Sequence, residues 1–286
     1  YTLVREGNEW RILTMLDAGA QALTLSTEEL QERLSETADF AEEQAHRIEA
    51  MGEDEELEDE DAALEDAELE DDDEDDDEDE DEDEDINLEF EELVEHFEEM
   101  MWVTTRAMHY TDALIAQMSE DIDLYELGYD QAIAIQENER AAVYAEMQAE
   151  RFPEQRSEAL RKLAMAQLSI AKTYEENNDL EHSYTFIAEA EKVLRTSIAI
   201  DNAPMSSILL AETLIAQKKQ LDEAEQLLRQ VLTLPDLDPA ESTLAEAGLG
   251  HIAQDQENYE QALQHYQRAV EISPDLPGMW FNIGLM

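Results

Sequence analysis

Gly250 and Gly284 are 34 residues apart, and the interval between them holds a set of residue types that packed helices require. Ala262, Tyr266, Ala269 and Pro274 stand 12, 16, 19 and 24 positions after Gly250, and Leu249-Gly250 is echoed by Trp280, Ile283 and Gly284. A fixed period of this size predicts stacked helical hairpins, because one hairpin cannot cover its own apolar face and a neighbour of the same shape can. Two helices approach closely only where a side chain is small. That places Gly250, Ala262 and Ala269 at crossing points and leaves Leu249, Tyr266, Trp280 and Ile283 to fill the gaps. Pro274 ends the second helix, having no N–H to continue the ladder.

Over Thr243 to Leu276 this pattern resembles the tetratricopeptide repeat family, whose members carry Trp, Leu-Gly, Tyr, Ala, Phe, Ala and Pro in that order across 34 residues. Glu246 stands at the Trp position and Ala253 at the first Tyr position, while the small and apolar positions are kept. Trp280-Phe281-Asn282-Ile283-Gly284 then restarts the pattern, and the chain stops at Met286 inside a predicted helix, so a piece of a longer protein is expected. A second copy runs from about Met205 to Asp238, with Ile208, Ala211, Ile215, Ala224, Leu228 and Val231 in the corresponding places. Its closing loop is longer by four residues, so that Ala224 and Ala262 are 38 apart. Farther back, Ser157 to Tyr174 and Leu180 to about Ile200 form an irregular pair of helices broken by Asn177-Asn178-Asp179. In that pair only Ala190, Leu194, Ser197 and Asn202 fall into register.

The charge distribution separates core-forming sequence from the rest. Residues 53–85 contain 27 acidic side chains in 33 positions, and no Lys or Arg occurs between Arg47 and Arg106. Such a run cannot bury enough apolar surface to offset its ordering entropy and self-repulsion, so a disordered segment is expected. The other 253 residues still hold 49 acids against 17 bases. Direct nucleic-acid binding is excluded on that ground, because neutralising phosphates needs a basic stripe.

The first 25 residues differ in character. Tyr1 to Arg5 and Trp10 to Leu16 are rich in aromatic and branched residues around Gly7-Asn8, and they read as a β-hairpin, either a cap or the remnant of an upstream sheet. Ser26-Thr27-Glu28-Glu29 is a capping box that opens a helix to about Met51. After the acidic run, Asn87 to about Met118 and about Ile122 to Arg151 read as two long amphipathic helices, the second ended by Pro153. The expected fold is all-α: a tetratricopeptide-type α-solenoid of helical hairpins, with a short N-terminal β-hairpin and a disordered acidic segment. The chain divides into residues 1–25, a helix over 26–52, the acidic segment 53–86, a long helical hairpin over 87–152 and repeats over 153–286.

Catalytic chemistry finds no support. His96 lies between Glu92 and Glu99, and His109 with Asp112 lies farther along the same helix, but a bundle metal site wants Glu-x-x-His and residue 93 is Leu93. The acidic run lacks the Gly and spaced ligands of a calcium loop, and there is no cysteine, Gly-rich phosphate cradle or nucleophile elbow. Neither an enzyme nor a cofactor is expected. No apolar run is long enough to span a bilayer. A cytoplasmic location is the default expectation, with the nucleus for a histone chaperone.

Surface recognition is what remains. In the family, the second, fifth, ninth and twelfth positions of each first helix face a concave groove. The resemblance thus implies Ser206, Leu209, Thr213 and Ala216 in one repeat and Leu244, Ala247, His251 and Gln254 in the next, with Phe281 beyond. None of these is Lys or Arg, which disfavours the acidic chaperone tails that some family members capture. A neutral, partly apolar groove in an acidic body suits other proteins that offer apolar or basic segments. Two functions follow: a non-catalytic interaction scaffold, or an acidic chaperone for a basic client such as a histone or ribosomal protein. Adaptation to high salt accounts for at most the acids outside the run, since it would spread them evenly.

Overall fold

The computed structural model describes residues 2–6, 9–13, 22–38, 40, 79–274 and 283. The chain divides into two compact units, residues 1–137 and 138–286.

In the first unit Thr2–Glu6 (β1) and Glu9–Leu13 (β2) pair antiparallel, with Thr2 opposite Leu13 and Glu6 opposite Glu9. Residues 27–38 form a helix (α1), and Asp79–Gln117 (α2) and Ile122–Ala134 (α3) follow. The helix over 27–38 starts where the sequence places its cap. Glu29 Oε2 accepts from the Ser26 N–H at 2.9 Å, and the Glu29 N–H donates to Ser26 Oγ at 3.3 Å. Its apolar face, Leu30 with Ala22, packs against Tyr110, Ala113 and Leu114 of α2, and Leu25, Leu34, Met118 and Leu124 close the cluster. Thr111 donates to Gln131 at 2.9 Å and ties α2 to α3.

The expected fold class is corrected in two respects. The fold is built from helices, with no β component to the architecture. Strands β1 and β2 pair only with each other in a two-stranded ladder, which lacks the third strand needed to build a layer. The acidic segment is not structureless to its end either: residues 53–78 lie outside the described residues, but the chain is helical from Asp79, eight residues before the expected start at Asn87. Acidic residues suit the first turns of a helix, where the macrodipole is positive, and Glu is a good helix former.

The single helix expected over Ile122 to Arg151 is two helices. The chain breaks after Ala134, with Gln136 left-handed at φ 60°, and resumes at Asn138–Arg151 (α4). Pro153 then opens a short 3₁₀ turn, as expected for a residue that cannot continue a helix.

The second unit continues as Arg156–Glu176 (α5), Leu180–Asp201 (α6), Pro204–Ala216 (α7), Leu221–Val231 (α8), Pro239–Asp255 (α9) and Tyr259–Ile272 (α10). Helices pair as α5–α6, α7–α8 and α9–α10. The second helices share a register. Ala190, Leu194 and Ser197 of α6 recur as Ala224, Leu228 and Val231 of α8, then as Ala262, Tyr266 and Ala269 of α10, and all nine are buried. The first helices share an ending. Asn178, Lys218 and Glu257 are left-handed, and the next N–H reaches back to Tyr174, Leu214 and Ala253 respectively, giving the same Schellman closure in each hairpin. Asp179 and Asn258 then cap the helices that follow.

The 38-residue step between Ala224 and Ala262 is absorbed by the loop before α9. There Asp236 is left-handed, Leu237 packs back on the core and Asp238 accepts from the Ala240 N–H at 2.8 Å with Pro239 as the first helical residue.

Candidate partner-binding groove

The Schellman residues give a ruler along the first helices that is independent of any motif. Lys172, Glu212 and His251 each lie six positions before the left-handed residue. Met165, Met205 and Leu244 lie thirteen before it, and Glu176, Ala216 and Asp255 two before it. At these positions and at Leu209 the side chains keep surface: Met165 is 46% exposed, Met205, Leu209, Glu212 and Leu244 are half-buried, and Ala216 and His251 are exposed. On α7 Met205, Leu209, Glu212 and Ala216 follow at steps of four, three and four residues, the spacing of a single helical face, and the equivalent positions of α5 and α9 are seven and four residues apart on the same face.

The sequence-derived groove residues sort unevenly on this stripe. Leu209, Ala216, Leu244 and His251 lie on it, and Gln254 lies at its edge, half-buried and accepting from the Tyr266 hydroxyl at 2.7 Å. Ser206, Thr213 and Ala247 are buried, at 0%, 3% and 5% exposure. Ser206 belongs to a hydroxyl chain in which Ser197 Oγ lies 2.9 Å from both Ser157 Oγ and Ser206 Oγ, joining α5, α6 and α7. Thr213 donates back to the Leu209 carbonyl at 2.7 Å. These three build the wall and do not face solvent. Phe281 lies outside the described residues.

The electrostatics of the stripe are set by burial. Desolvation raises the Glu212 carboxyl above the usual carboxylate range. It lowers the His251 imidazole, against the opposing pull of Asp255, so His251 is neutral at pH 7. The His251 ring stands edge-on to Tyr266 at 5.6 Å between centroids, and burial followed by Asp255 pushes the Tyr266 hydroxyl up to about 12. Other charges along the stripe are paired: Lys172 with Glu176 at 3.8 Å, and Asp255 with Lys218 at 3.2 Å.

Met205, Met165 and Glu212 were missed in the sequence because the family's motif numbering was anchored on core positions. Counting back from the loops Asn177-Asn178-Asp179, Lys218-Lys219-Gln220 and Glu257-Asn258 would have found them. Among the described residues no group of three or more His, Asp and Glu is arranged to hold a metal ion. No described helix is long and apolar enough to cross a membrane.

Residues 250–286 match a family model described as TPR repeat. The chain carries a tetratricopeptide repeat. No curated protein sequence matches the chain. Among solved structures, a thermophilic TPR protein of Thermus thermophilus superposes with a TM-score of 0.51 at 16% identity, covering 65% of this chain and 91% of that one. YrrB, a TPR protein with an unusual peptide-binding site, gives 0.45 at 17% identity over 64% and 84%, and the TPR domain of P58(IPK) gives 0.30 at 13% over 69% and 67%. At these identities the likeness concerns the fold, and the Thermus structure carries it. Glu246, at the family's Trp position, accepts through Oε2 from His265 Nδ1 of α10 at 2.6 Å.

Proposed function

We propose that this chain is a non-catalytic interaction scaffold that takes a helix or an extended segment of a partner protein against the inner stripe formed by Met205, Leu209, Ala216, Leu244 and His251. The observation that supports it most directly is the set of half-buried apolar side chains Met205, Leu209 and Leu244 on the first helices of two neighbouring repeats. Apolar groups held at that depth offer contact area without needing to move. Changing Leu209 and Leu244 to Arg, with circular dichroism to verify the helices, tests the reading. Partner capture should fall by an order of magnitude or more; unchanged capture by the folded double variant rejects the groove.

A second reading is favoured by one feature, the 27 acids within residues 53–85. Such a polyanion suits a basic client, whose charge it would screen. Binding of a histone to the whole chain and to one lacking 53–85 discriminates the two. The chaperone reading requires that deletion weaken binding and flatten its salt dependence.

A further inference from the structure

Glu212 is the one carboxylate of the inner stripe of α7 and α9 that has no hydrogen bond or ion pair with any described residue. It sits between Leu209 and Ala216 on the half-buried face of α7, with its side chain largely desolvated. Its equivalent on α9 is His251, whose ring stands edge-on to Tyr266, and its equivalent on α5 is Lys172, engaged by Glu176. Asp255, the next acid along the stripe, is answered by Lys218. A half-buried carboxyl without a partner costs stability, and a cation brought to it recovers that cost as a charge-assisted hydrogen bond.

Resting on the groove reading above, we propose that Glu212 is its specificity-determining residue, receiving the ammonium or guanidinium of a Lys or Arg on the docked segment. The same segment seats an apolar side chain on Leu209, Met205 and Leu244. Leu209 precedes Glu212 by about one helical turn, roughly 5 Å along the axis. The spacing fixes the ligand pattern. In an extended ligand the apolar and cationic residues are about two positions apart on the same side, and in a helical ligand they are about three or four apart. The occupant is a segment of a partner protein, chosen by charge: the chain has 17 basic side chains against 76 acidic ones, so its field attracts cationic segments and repels copies of itself.

The test pans a random-peptide display library on the whole chain and on its Glu212→Lys variant, followed by affinity measurements on synthetic peptides. The wild-type chain should select peptides with Lys or Arg at that spacing from an apolar residue. Replacing that Lys by Glu in the peptide should weaken binding on the order of tenfold, the worth of a charge-assisted contact, and the Glu212→Lys chain should restore it. Peptides that lose binding to a Leu209→Arg chain but are indifferent to Glu212→Lys overturn the role of Glu212 and leave the groove standing. Peptides indifferent to both substitutions, or no enrichment at all, overturn the groove and with it this inference. Glu212→Gln, which keeps the shape and removes the charge, serves as the variant that holds its fold, and it should lose the Lys or Arg preference without gaining an acidic one.

Discussion

A methyl group placed on Gly250 would lie 2.5 Å from Cε1 of Tyr266 and 2.7 Å from Cδ1, so the first and second helices of the α9–α10 hairpin touch backbone to ring. Tyr266 is fully buried and tied by its hydroxyl to Gln254, which leaves the ring no room to retreat. Gly248, two residues earlier, is different. A methyl group there lies 2.8 Å from the Cδ1 terminus of Leu228, with Leu228 Cδ2 and Ile215 Cδ1 at ordinary contact distances of 3.6 and 3.8 Å.

The two glycines should therefore respond differently to alanine. In a helix interior alanine is favoured over glycine by about 1 kcal/mol. At Gly250 the overpacking cost of roughly 1–3 kcal/mol outweighs that gain, and Gly250→Ala should lower stability; at Gly248 the leucine terminus can turn, and Gly248→Ala should be close to neutral. Denaturant unfolding of the two variants checks this. Adding Tyr266→Leu, the residue type of the equivalent positions Leu194 and Leu228, should recover part of the Gly250→Ala loss.

The buried hydroxyl chain makes a second prediction. Ser197→Ala removes the centre of the Ser157–Ser197–Ser206 chain; the Ser157 hydroxyl keeps its bond to the Ser197 carbonyl, but the Ser206 hydroxyl and the Ser157 carbonyl lose the Ser197 hydroxyl, a loss of about 1–3 kcal/mol. Ser206→Ala should likewise cost stability, about 1 kcal/mol, and leave partner affinity untouched. A change in affinity with unaltered stability would put Ser206 back on the groove surface.

A third concerns the turn between α5 and α6. Asp179 caps α6 through the His182 N–H, and its carboxylate lies 2.8 Å from His182 Nδ1. Hydrogen bonding with His182 lowers the Asp179 carboxyl below its ordinary 3.8, and hydrogen bonding with Asp179 raises His182 above 6.5. A raised histidine contributes fully below about 6.5 and loses its contribution as pH climbs through its folded value, whereas a lowered aspartate contributes above about 3.8 and loses it as pH falls. The contact should thus be strongest between these limits. An NMR titration of His182 checks the sign, since Asp179→Asn should bring its midpoint back down toward 6.5.

Arg195 links neighbouring repeats and supports a fourth prediction. Its guanidinium donates to both oxygens of Glu223 on α8, at 2.6 and 3.1 Å, and to Glu191 on its own helix at 3.0 Å. The Arg195 contact holds the Glu223 carboxyl below the usual range, so its contribution is present above about 4.5 and is lost as pH falls. Both side chains keep about a third of their surface, at 38% and 35%, so solvent screening limits the pair to roughly 0.5–1 kcal/mol. Arg195→Met should show a loss of that size in low salt that shrinks in high salt.

How legible the molecule was in its sequence depended on how local the deciding physics is. The capping box at Ser26 and Glu29, the stop at Pro153 and the close approach at Gly250 were readable because each depends on a few neighbouring atoms. The break at Gln136 was not, since Gln-Glu-Asn-Glu is compatible with a continuous helix and carries no Gly or Pro to mark the left-handed turn. The early start of α2 at Asp79 escaped for the opposite reason: composition argued disorder, while the position of those acids at a helix N-terminus favoured the helix.

The sequence by itself determined the repeat, its period and the inward register of the second helices, because Ala190, Ala224 and Ala262 with their partners must be small or apolar wherever two helices cross. Only the tertiary structure decided which residues of the first helices still reach solvent. Exposure there depends on how each hairpin covers the last, and that angle buried Ser206, Thr213 and Ala247 while leaving Met205, Leu209 and the unpaired carboxyl of Glu212 on the inner stripe.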